Sequence, residues 1–281
     1  MRIAPYEISQ LVYIRAITPI HVGAGRGERV DLPVERDGFG LPTIPASGIK
    51  GAIRERFPDH YKTLLFGSKS AAGCFTPLDG ILVAMPARSL RGVWMLITSP
   101  LSLRRLRTYA ELSGQKQMSG DFLSMKLPEE NEIIIGQDGE SKFGINGKIL
   151  LNEEYLLSIR RDDLSQLAKY LNLPEPDRLG LVDDTVFKQI VNTSLLTRAR
   201  VRLESKTKTV ETGGLWTEED VPAEARFITC FLYAPSREEQ KTAEEIQKIV
   251  EKTVFADGGG YLILGGHETV GRGLVKLEKV V

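Results

Sequence analysis

Two glycine-rich loops near opposite ends of the chain constrain its fold more than any other feature: His21-Val-Gly-Ala-Gly-Arg-Gly-Glu28 and Gly265-Gly-His-Glu-Thr-Val-Gly-Arg-Gly273. A strand-like run leads into each. In the first run, Ile8–Thr18, the residues Val12, Ile14 and Ala16 alternate with Tyr13, Arg15 and Ile17 across two faces. The second loop follows the strand expected over Tyr261–Leu264. Gly23, Gly25 and Gly27 match the start of a dinucleotide fingerprint, but that fingerprint needs a helix opening directly out of the loop. Here Val30-Asp-Leu-Pro33 intervenes, and Pro33 disfavours helical geometry at Leu32. A nucleotide-cofactor enzyme built on these glycines is therefore a poor reading.

The rest of the pattern fills in around the loops. Ile49, Ile53 and Phe57 recur every four residues and predict a helix from Ser47, with Ser47 available as its cap. Strands are expected at 81–84 and 92–98, and helices at Leu101–Glu111, 163–171 and 183–191. Residues 113–150 have weak periodicity and read as an insertion or a variable part of the sheet. Val201–Val210 is hairpin-like and too polar for burial. Arg226–Ala234 is an apolar strand, and Ser236 with Glu239 offers a capping box for a helix carrying Ile246, Val250 and Val254 on one face. A last strand runs from Leu274 to Val281. Strand, glycine loop, helix and strands near both ends suit an α+β fold of ferredoxin-like units, with helices on one face of an antiparallel sheet.

Composition bounds the function classes. Hydrophobic residues make up 42% and charged residues 26%, as in an ordinary globular protein. No apolar run approaches the ~20 residues that span a bilayer, and the opening MRIAPYEISQ, without an apolar signal core, reads as part of the fold. The two cysteines, Cys74 and Cys230, lie far apart among small or apolar neighbours, which suits a reducing cytoplasm and buried packing. Lysine plus arginine and aspartate plus glutamate both number 37, so net charge is zero. A free-standing RNA-binding protein usually carries a basic excess. Nucleic-acid binding by this chain requires either a basic face or a surrounding assembly.

Candidate residues then have two readings each. Ser47, Lys50 and Arg54 form a polar, basic stripe beside the apolar one; it is either solvated or, with the helix N-terminus, a grip on a phosphate. The carboxy-terminal glycines with Arg272 make either a tight turn or a close approach to a phosphodiester chain. His21, His60 and His267 lack metal-ligand spacing, and no nucleophile elbow stands out. His21 and Asp31 flank the first loop, where a carboxylate either caps a turn or serves a divalent cation or a ribose hydroxyl.

Several segments, taken together and in order, carry a resemblance. They include Thr18-Pro-Ile-His-Val-Gly-Ala-Gly25, Val30-Asp-Leu-Pro-Val-Glu-Arg36 and Pro42-Thr-Ile-Pro-Ala-Ser-Gly-Ile-Lys-Gly-Ala-Ile-Arg54. Phe66-Gly67, Pro86-Ala-Arg-Ser-Leu-Arg-Gly92 and Thr98-Ser-Pro-Leu101 follow, then Gly213-Gly-Leu-Trp-Thr-Glu-Glu219, Pro222-Ala-Glu224 and Gly265–Gly273. Over nearly its full length the chain resembles the backbone subunit of type III-B CRISPR effector complexes, the Cmr system, within the RAMP superfamily.

The resemblance implies a ferredoxin-like (RRM-like) palm over approximately 1–112 and 220–281, a variable insertion over approximately 113–190, and an extended β-hairpin thumb over approximately 195–215. It implies copies stacked in a helical filament along a guide RNA, beside other Cmr subunits, with target RNA cut at regular intervals. Base pairing would read sequence while protein holds backbone and shape. Asp31 matches the family's catalytic aspartate, acting with Mg2+ or Mn2+ as a metal ligand or orienting the ribose 2′-hydroxyl. His21 matches a nearby loop histidine, and Glu218 and Glu219 at the thumb's base are further contributors to the cut. Ser47, Lys50 and Arg54 match the helix that meets the guide backbone, and Gly265, Gly266, Gly271, Arg272 and Gly273 the loop beside it. Two neighbouring readings are a non-catalytic guide-binding filament subunit and the equivalent type III-A backbone nuclease.

Overall fold

The structure is a computed structural model that describes residues 4–115, 118, 125–204, 209–236 and 238–280. Parts of the expected insertion and the tip of the expected thumb, 205–208, lie outside the described residues. The chain begins with β1 (Ile8–Ala16), β2 (Thr43–Ile44), α1 (Ala46–Arg54), α2 (Asp59–Phe66), β3 (Phe75–Pro77), β4 (Gly80–Ser89) and β5 (Val93–Thr98). It continues with α3 (Pro100–Leu112), β6 (Glu132–Ile135), α4 (Gly139–Phe143), β7 (Lys148–Leu151), β8 (Tyr155–Arg161), α5 (Ser165–Tyr170) and β9 (Leu179–Val182). It closes with α6 (Asp184–Ser194), β10 (Leu196–Leu203), β11 (Val210–Asp220), β12 (Arg226–Tyr233), α7 (Ala243–Glu251), β13 (Tyr261–Ile263) and β14 (Leu274–Lys279). Helices and strands mixed around a sheet make this an α+β fold.

Strands from the two ends of the chain meet. β13, β14, β1, β12 and β4 hydrogen-bond side by side, each pair antiparallel, and β3 pairs the far end of β12. β4 is ten residues long and serves two neighbourhoods. Its first half pairs β12, while Met85–Ser89 pairs β5. From there β5, β9, β6, β8 and β7 follow in order, and Ser89 opposite Leu151 returns β7 to β4. The weakly periodic segment 113–150 thus contributes β6 and most of β7 to a closed ring that β8 and β9 complete. Among the described residues the hairpin β10–β11 forms a separate two-stranded sheet.

The expectation of helices on one face alone needs correction. One core joins Ile49 and Ile53 of α1 to Ile246 and Val250 of α7 and to the ring interior at Met95 and Ile133. A second core lies on the opposite face, where Leu103 and Leu106 of α3 and Leu167 of α5 cover Leu11, Tyr13 and Val83. Covered on both sides, β12 is buried at every one of its eight positions, which explains why Arg-Phe-Ile-Thr-Cys-Phe-Leu-Tyr lacks polar alternation. Phe75 sits edge-on to Phe231 at 5.1 Å, and Phe66 edge-on to Phe75 at 5.9 Å. Cys74 and Cys230 are free and buried. Among the described residues, no helix is long and apolar enough to cross a membrane.

Two capping expectations also shift. Ser47 lies within the first turn of α1, preceded by Pro45 and Ala46, and the Ala46 amide donates instead to Asp79 Oδ1 at 2.7 Å. A carboxylate from the turn before β4 therefore ties down this helix end. The capping box of α7 is Thr242 with Glu245, each side chain accepting from the other's amide. Ser236 instead closes a turn, accepting from the Glu239 amide at 3.2 Å. Both sites satisfy the spacing rule, and Pro235 lies too far ahead of the apolar stripe to start it.

Candidate functional site

The segment leaving β1 is threaded between β11 and the carboxy-terminal glycine loop. Ile20 bridges Val221, His21 bridges Gly266, and Gly23 bridges Val34, so the first glycine loop folds back on itself. Its returning limb runs parallel to β11: the Leu32 amide donates to Thr217 O and the Glu219 amide to Leu32 O, each at 3.0 Å. This strand-like pairing, and no helix, follows Pro33. It presents Asp31 at the exposed bend of the loop.

The Asp31 carboxylate is fixed on one side. Its Oδ2 accepts from the Thr217 amide at 2.7 Å and from the Thr217 hydroxyl at 2.8 Å. The Asp31 amide in turn donates to Thr217 Oγ1 at 3.0 Å. The backbone and then the side-chain hydrogen bond from Thr217 hold this carboxyl below the usual aspartate range. An ionised, solvent-facing carboxylate results. Beside it opens a groove of about 710 Å³ lined by Arg29, Pro33, Arg36, Lys188, Asn192 and Glu219. Arg36 is engaged there, reaching Asn192 Oδ1 at 2.7 Å and Glu219 at 3.5 Å.

Behind the loop lies a buried charge cluster. Arg272, 3% exposed, donates through Nη1 to Glu218 Oε2 at 2.8 Å and to Asp220 Oδ1 at 2.7 Å. Glu218 also accepts from Trp216 Nε1 at 2.8 Å and Arg200 Nε at 3.1 Å. Burial pushes the Glu218 carboxyl up, but the Trp216 and Arg200 hydrogen bonds, the His267 charge and Arg272 outweigh it and bring the group down to about 2. Asp220, fully buried, is pushed up by burial against the pull of Arg272, His21 and Arg198. The His21 ring stacks on His267 at 4.6 Å, and its Nδ1 lies 2.7 Å from the Glu219 carbonyl oxygen. Burial holds His267 below the usual histidine range.

These positions separate the candidate residues. Asp31 alone among the candidate catalytic groups is exposed. His21 is 6% exposed and Glu218 3%, and both are bonded inward, so neither faces a substrate in this arrangement. Glu219 is turned to the opposite side of β11, where its Oε2 accepts from the Val34 amide at 3.2 Å and braces the loop. Arg272 is likewise unsuited to a phosphate contact, because two buried carboxylates already occupy its guanidinium.

The glycine loop divides in the same way. Gly265 and Gly273 have φ of +83° and +81°, and a Cβ on them would run into the carbonyl oxygens of His21 and Leu264. Both are required by the close approach of the loop to its neighbours. Gly266 and Gly271 are exposed, as are Ser47 and Arg54, with Lys50 half-buried on the same outer face of α1. Gly48 and Gly51 on this helix would meet nothing if given a Cβ, which leaves a smooth outer surface.

Thr217, Asp220, Arg198 and Arg200 escaped the sequence reading. A signal for three of them exists: arginines alternate at 198, 200 and 202, and an acidic run fills 218–220. In the hairpin register Arg198 lies opposite Glu218, so the arginine alternation meets Glu218 and Asp220 on one face. Nothing in the local pattern marks Thr217, whose partner is 186 residues away.

Comparison with known proteins shows which family the chain resembles. The RAMP superfamily matches residues 13–276. The CRISPR system Cmr endoribonuclease Cmr4 of Pyrococcus furiosus is 30% identical over 291 residues, covering 95% of this chain and 94% of the relative. A chain of the type III-B Cmr-beta complex bound to cognate target RNA, solved by cryo-EM, superposes with a TM-score of 0.79 at 28% identity, covering 98% of each chain. The crystal structure of oligomeric Cmr4 from Pyrococcus furiosus superposes with a TM-score of 0.69 at 26% identity, covering 97% of this chain and 100% of that one.

Proposed function

This chain belongs to the RAMP superfamily, and we propose that it is a guide-RNA-binding backbone subunit of a type III-B CRISPR effector complex that cuts target RNA. The observation that carries the reading is Asp31, an exposed carboxylate bonded to Thr217 on the loop between the glycine turn and β11. The near full-length likeness to an endoribonuclease and to a target-RNA-bound complex supports it. Oligomeric Cmr4 supports contact between copies, and the Cmr-beta complex supports assembly beside other Cmr subunits; on this reading the copies stack into a filament. Such a complex works in the cytoplasm, and free Cys74 and Cys230 suit that setting.

The sheet β14-β1-β12-β3, with α1 and α7 sharing one core on it, reads as the ferredoxin-like palm. Its strand order matches that fold's interleaved pairing. The separate hairpin β10–β11 reads as the thumb. On this reading Ser47, Lys50 and Arg54 meet the guide backbone together with Gly266 and Gly271.

Cleavage by in-line attack forms a bond from the ribose 2′-oxygen to phosphorus and breaks the bond to the departing 5′-oxygen. The proton leaving the 2′-hydroxyl is matched by one taken up at the 5′-oxygen. Asp31, ionised and positioned, orients the hydroxyl for that attack. Among the described residues no group of three or more histidine, cysteine or acidic side chains could hold a metal. One carboxylate still suits Mg2+ or Mn2+, since such ions take their remaining ligands from water and substrate phosphates. Bound there, the ion would polarise the scissile phosphate.

The test is cleavage of target RNA by the guide-loaded complex, wild type beside Asp31→Ala. Evenly spaced products that vanish in the variant, with RNA binding and assembly intact, are expected. An unchanged ladder would move catalysis to another residue. A wild-type complex that binds its target and yields no ladder would make the subunit a structural backbone.

A further inference from the structure

Asp31 stands on a loop whose neighbours Gly23 to Arg29 are all exposed. A carboxylate in such a place ordinarily samples several rotamers, and an attack geometry misplaced by about 1 Å costs on the order of a hundredfold in rate. Something must hold it, and the contacts single out one side chain. The Thr217 hydroxyl uses its hydrogen toward Asp31 Oδ2 at 2.8 Å and a lone pair toward the Asp31 amide at 3.0 Å. The Thr217 amide adds a second donor to the same oxygen at 2.7 Å. Backbone and side chain of Asp31 are thus both tied to one residue of β11.

We infer that Thr217 is the positioning residue that aims the Asp31 carboxylate at the cleavage site, an assignment that rests on the nuclease reading of Asp31. The residue type follows from its place. A β-branched side chain fits an extended strand, and Oγ1 is the shortest reach that both donates and accepts. The Leu32 amide donating to Thr217 O keeps the two segments in register, so the hydroxyl meets Asp31 without a rotamer search. Thr217 is half-buried, which leaves its bonds partly shielded from water. The exposed oxygen of Asp31 remains available to RNA.

The experiment uses the assembled, guide-loaded complex and four forms of this subunit: wild type, Asp31→Ala, Thr217→Val and Thr217→Ser. Valine keeps the shape and removes the hydroxyl; serine keeps the hydroxyl. Single-turnover cleavage at saturating complex, target-RNA affinity and melting temperature are measured for each. Thr217→Val should cut about ten- to a hundredfold more slowly, the expected result of an attack geometry loosened by up to about 1 Å. Its affinity and melting temperature should match wild type, and Thr217→Ser should recover to within about threefold of the wild-type rate, since it keeps the hydroxyl's bond to Asp31. Wild-type cutting by Thr217→Val beside an inactive Asp31→Ala would overturn the role of Thr217 and leave Asp31 in place. Equal slowing by valine and serine would also overturn it, because the hydroxyl would then not matter. Cutting by Asp31→Ala would overturn the nuclease reading, and the positioning role with it.

Discussion

Replacing Arg272 by methionine should unfold the site from behind. The substitution keeps most of the volume and deletes the one cation that both Glu218 and Asp220 share, at 2.8 and 2.7 Å. The two carboxylates do not suffer equally. Glu218 retains Arg200 at 3.1 Å and Trp216 at 2.8 Å. Asp220, fully buried, keeps only the looser charges of His21 and Arg198, each at 3.7 Å. Breaking a buried pair by removing one partner costs roughly 3–5 kcal/mol. Against a total stability of about 5–15 kcal/mol that is a large share. At roughly 2–4 °C per kcal/mol, a melting temperature lower by about 6–20 °C follows. Calorimetry or dye-monitored melting of the purified subunit reads it. The deficit also has a pH signature. Burial already raises the Asp220 carboxyl, so its neutral form is the one the fold prefers, and losing Arg272 strengthens that preference. The penalty that Asp220 adds in the variant is therefore least below the ordinary aspartate range and grows as pH rises through and above it. Adding Asp220→Asn should restore at least half of the loss. A single variant melting within about 2 °C of wild type, less than 1 kcal/mol by the same conversion, would refute this account of the cluster, as would a double variant no better than the single.

Glu218 has the opposite pH signature. Its carboxyl lies at about 2 against an ordinary 4.5, so its stabilising contribution is complete above 4.5 and is lost as pH falls through about 2. The stability gap between wild type and Glu218→Gln should close over that window, as followed by circular dichroism during acid titration. On the outer face of α1, Lys50→Ala/Arg54→Ala should leave the melting temperature unchanged while weakening guide-RNA binding. The slope of log affinity against log salt should flatten by roughly 0.7–0.9 for each cation that meets a phosphate; an unchanged slope would assign both to bare solvent exposure.

Local pattern made the outer frame of the fold legible. The run Ile8–Thr18 contains β1 with Val12, Ile14 and Ala16 buried, Ile49 and Ile53 are buried on α1 with Phe57 buried just beyond its end, and Ile246 and Val250 are buried on α7 with Val254 buried just beyond it. What the pattern hid depends on contacts distant in sequence. Residues 113–150 look irregular because β6 and β7 are only four residues each, too short to show a period, and gain their order from closing a ring through Ser89 and Leu151. The second helical layer was missed because Leu103 and Leu106 form a stripe without saying which face of the sheet they cover. In the site, the resemblance pointed to Asp31, His21 and Arg272, but sequence cannot tell an exposed loop carboxylate from a buried arginine two loops away. Burial separates them: Asp31 faces water while Arg272 and Glu218 are consumed in holding the floor beneath it.

The strand β11 explains how one short stretch, Thr217-Glu-Glu-Asp220, serves both tasks. Side chains alternate across a strand, so odd and even positions point to opposite sides. Thr217 and Glu219 turn to the first loop, where they hold Asp31 and the Val34 amide. Glu218 and Asp220 turn to the carboxy-terminal loop, where they hold Arg272. A slip of one residue would exchange the two sets: in one direction Glu218 comes to Asp31 and Arg272 meets Glu219 and Val221, in the other Trp216 comes to Asp31 and Arg272 meets Thr217 and Glu219. Repulsion between like charges at the loop opposes the first slip, and an under-neutralised arginine in the core opposes both. The buried cluster therefore does more than stabilise: together with the β10 pairing and the Leu32 backbone bonds, Arg272 favours the register that stands the Thr217 hydroxyl beside Asp31.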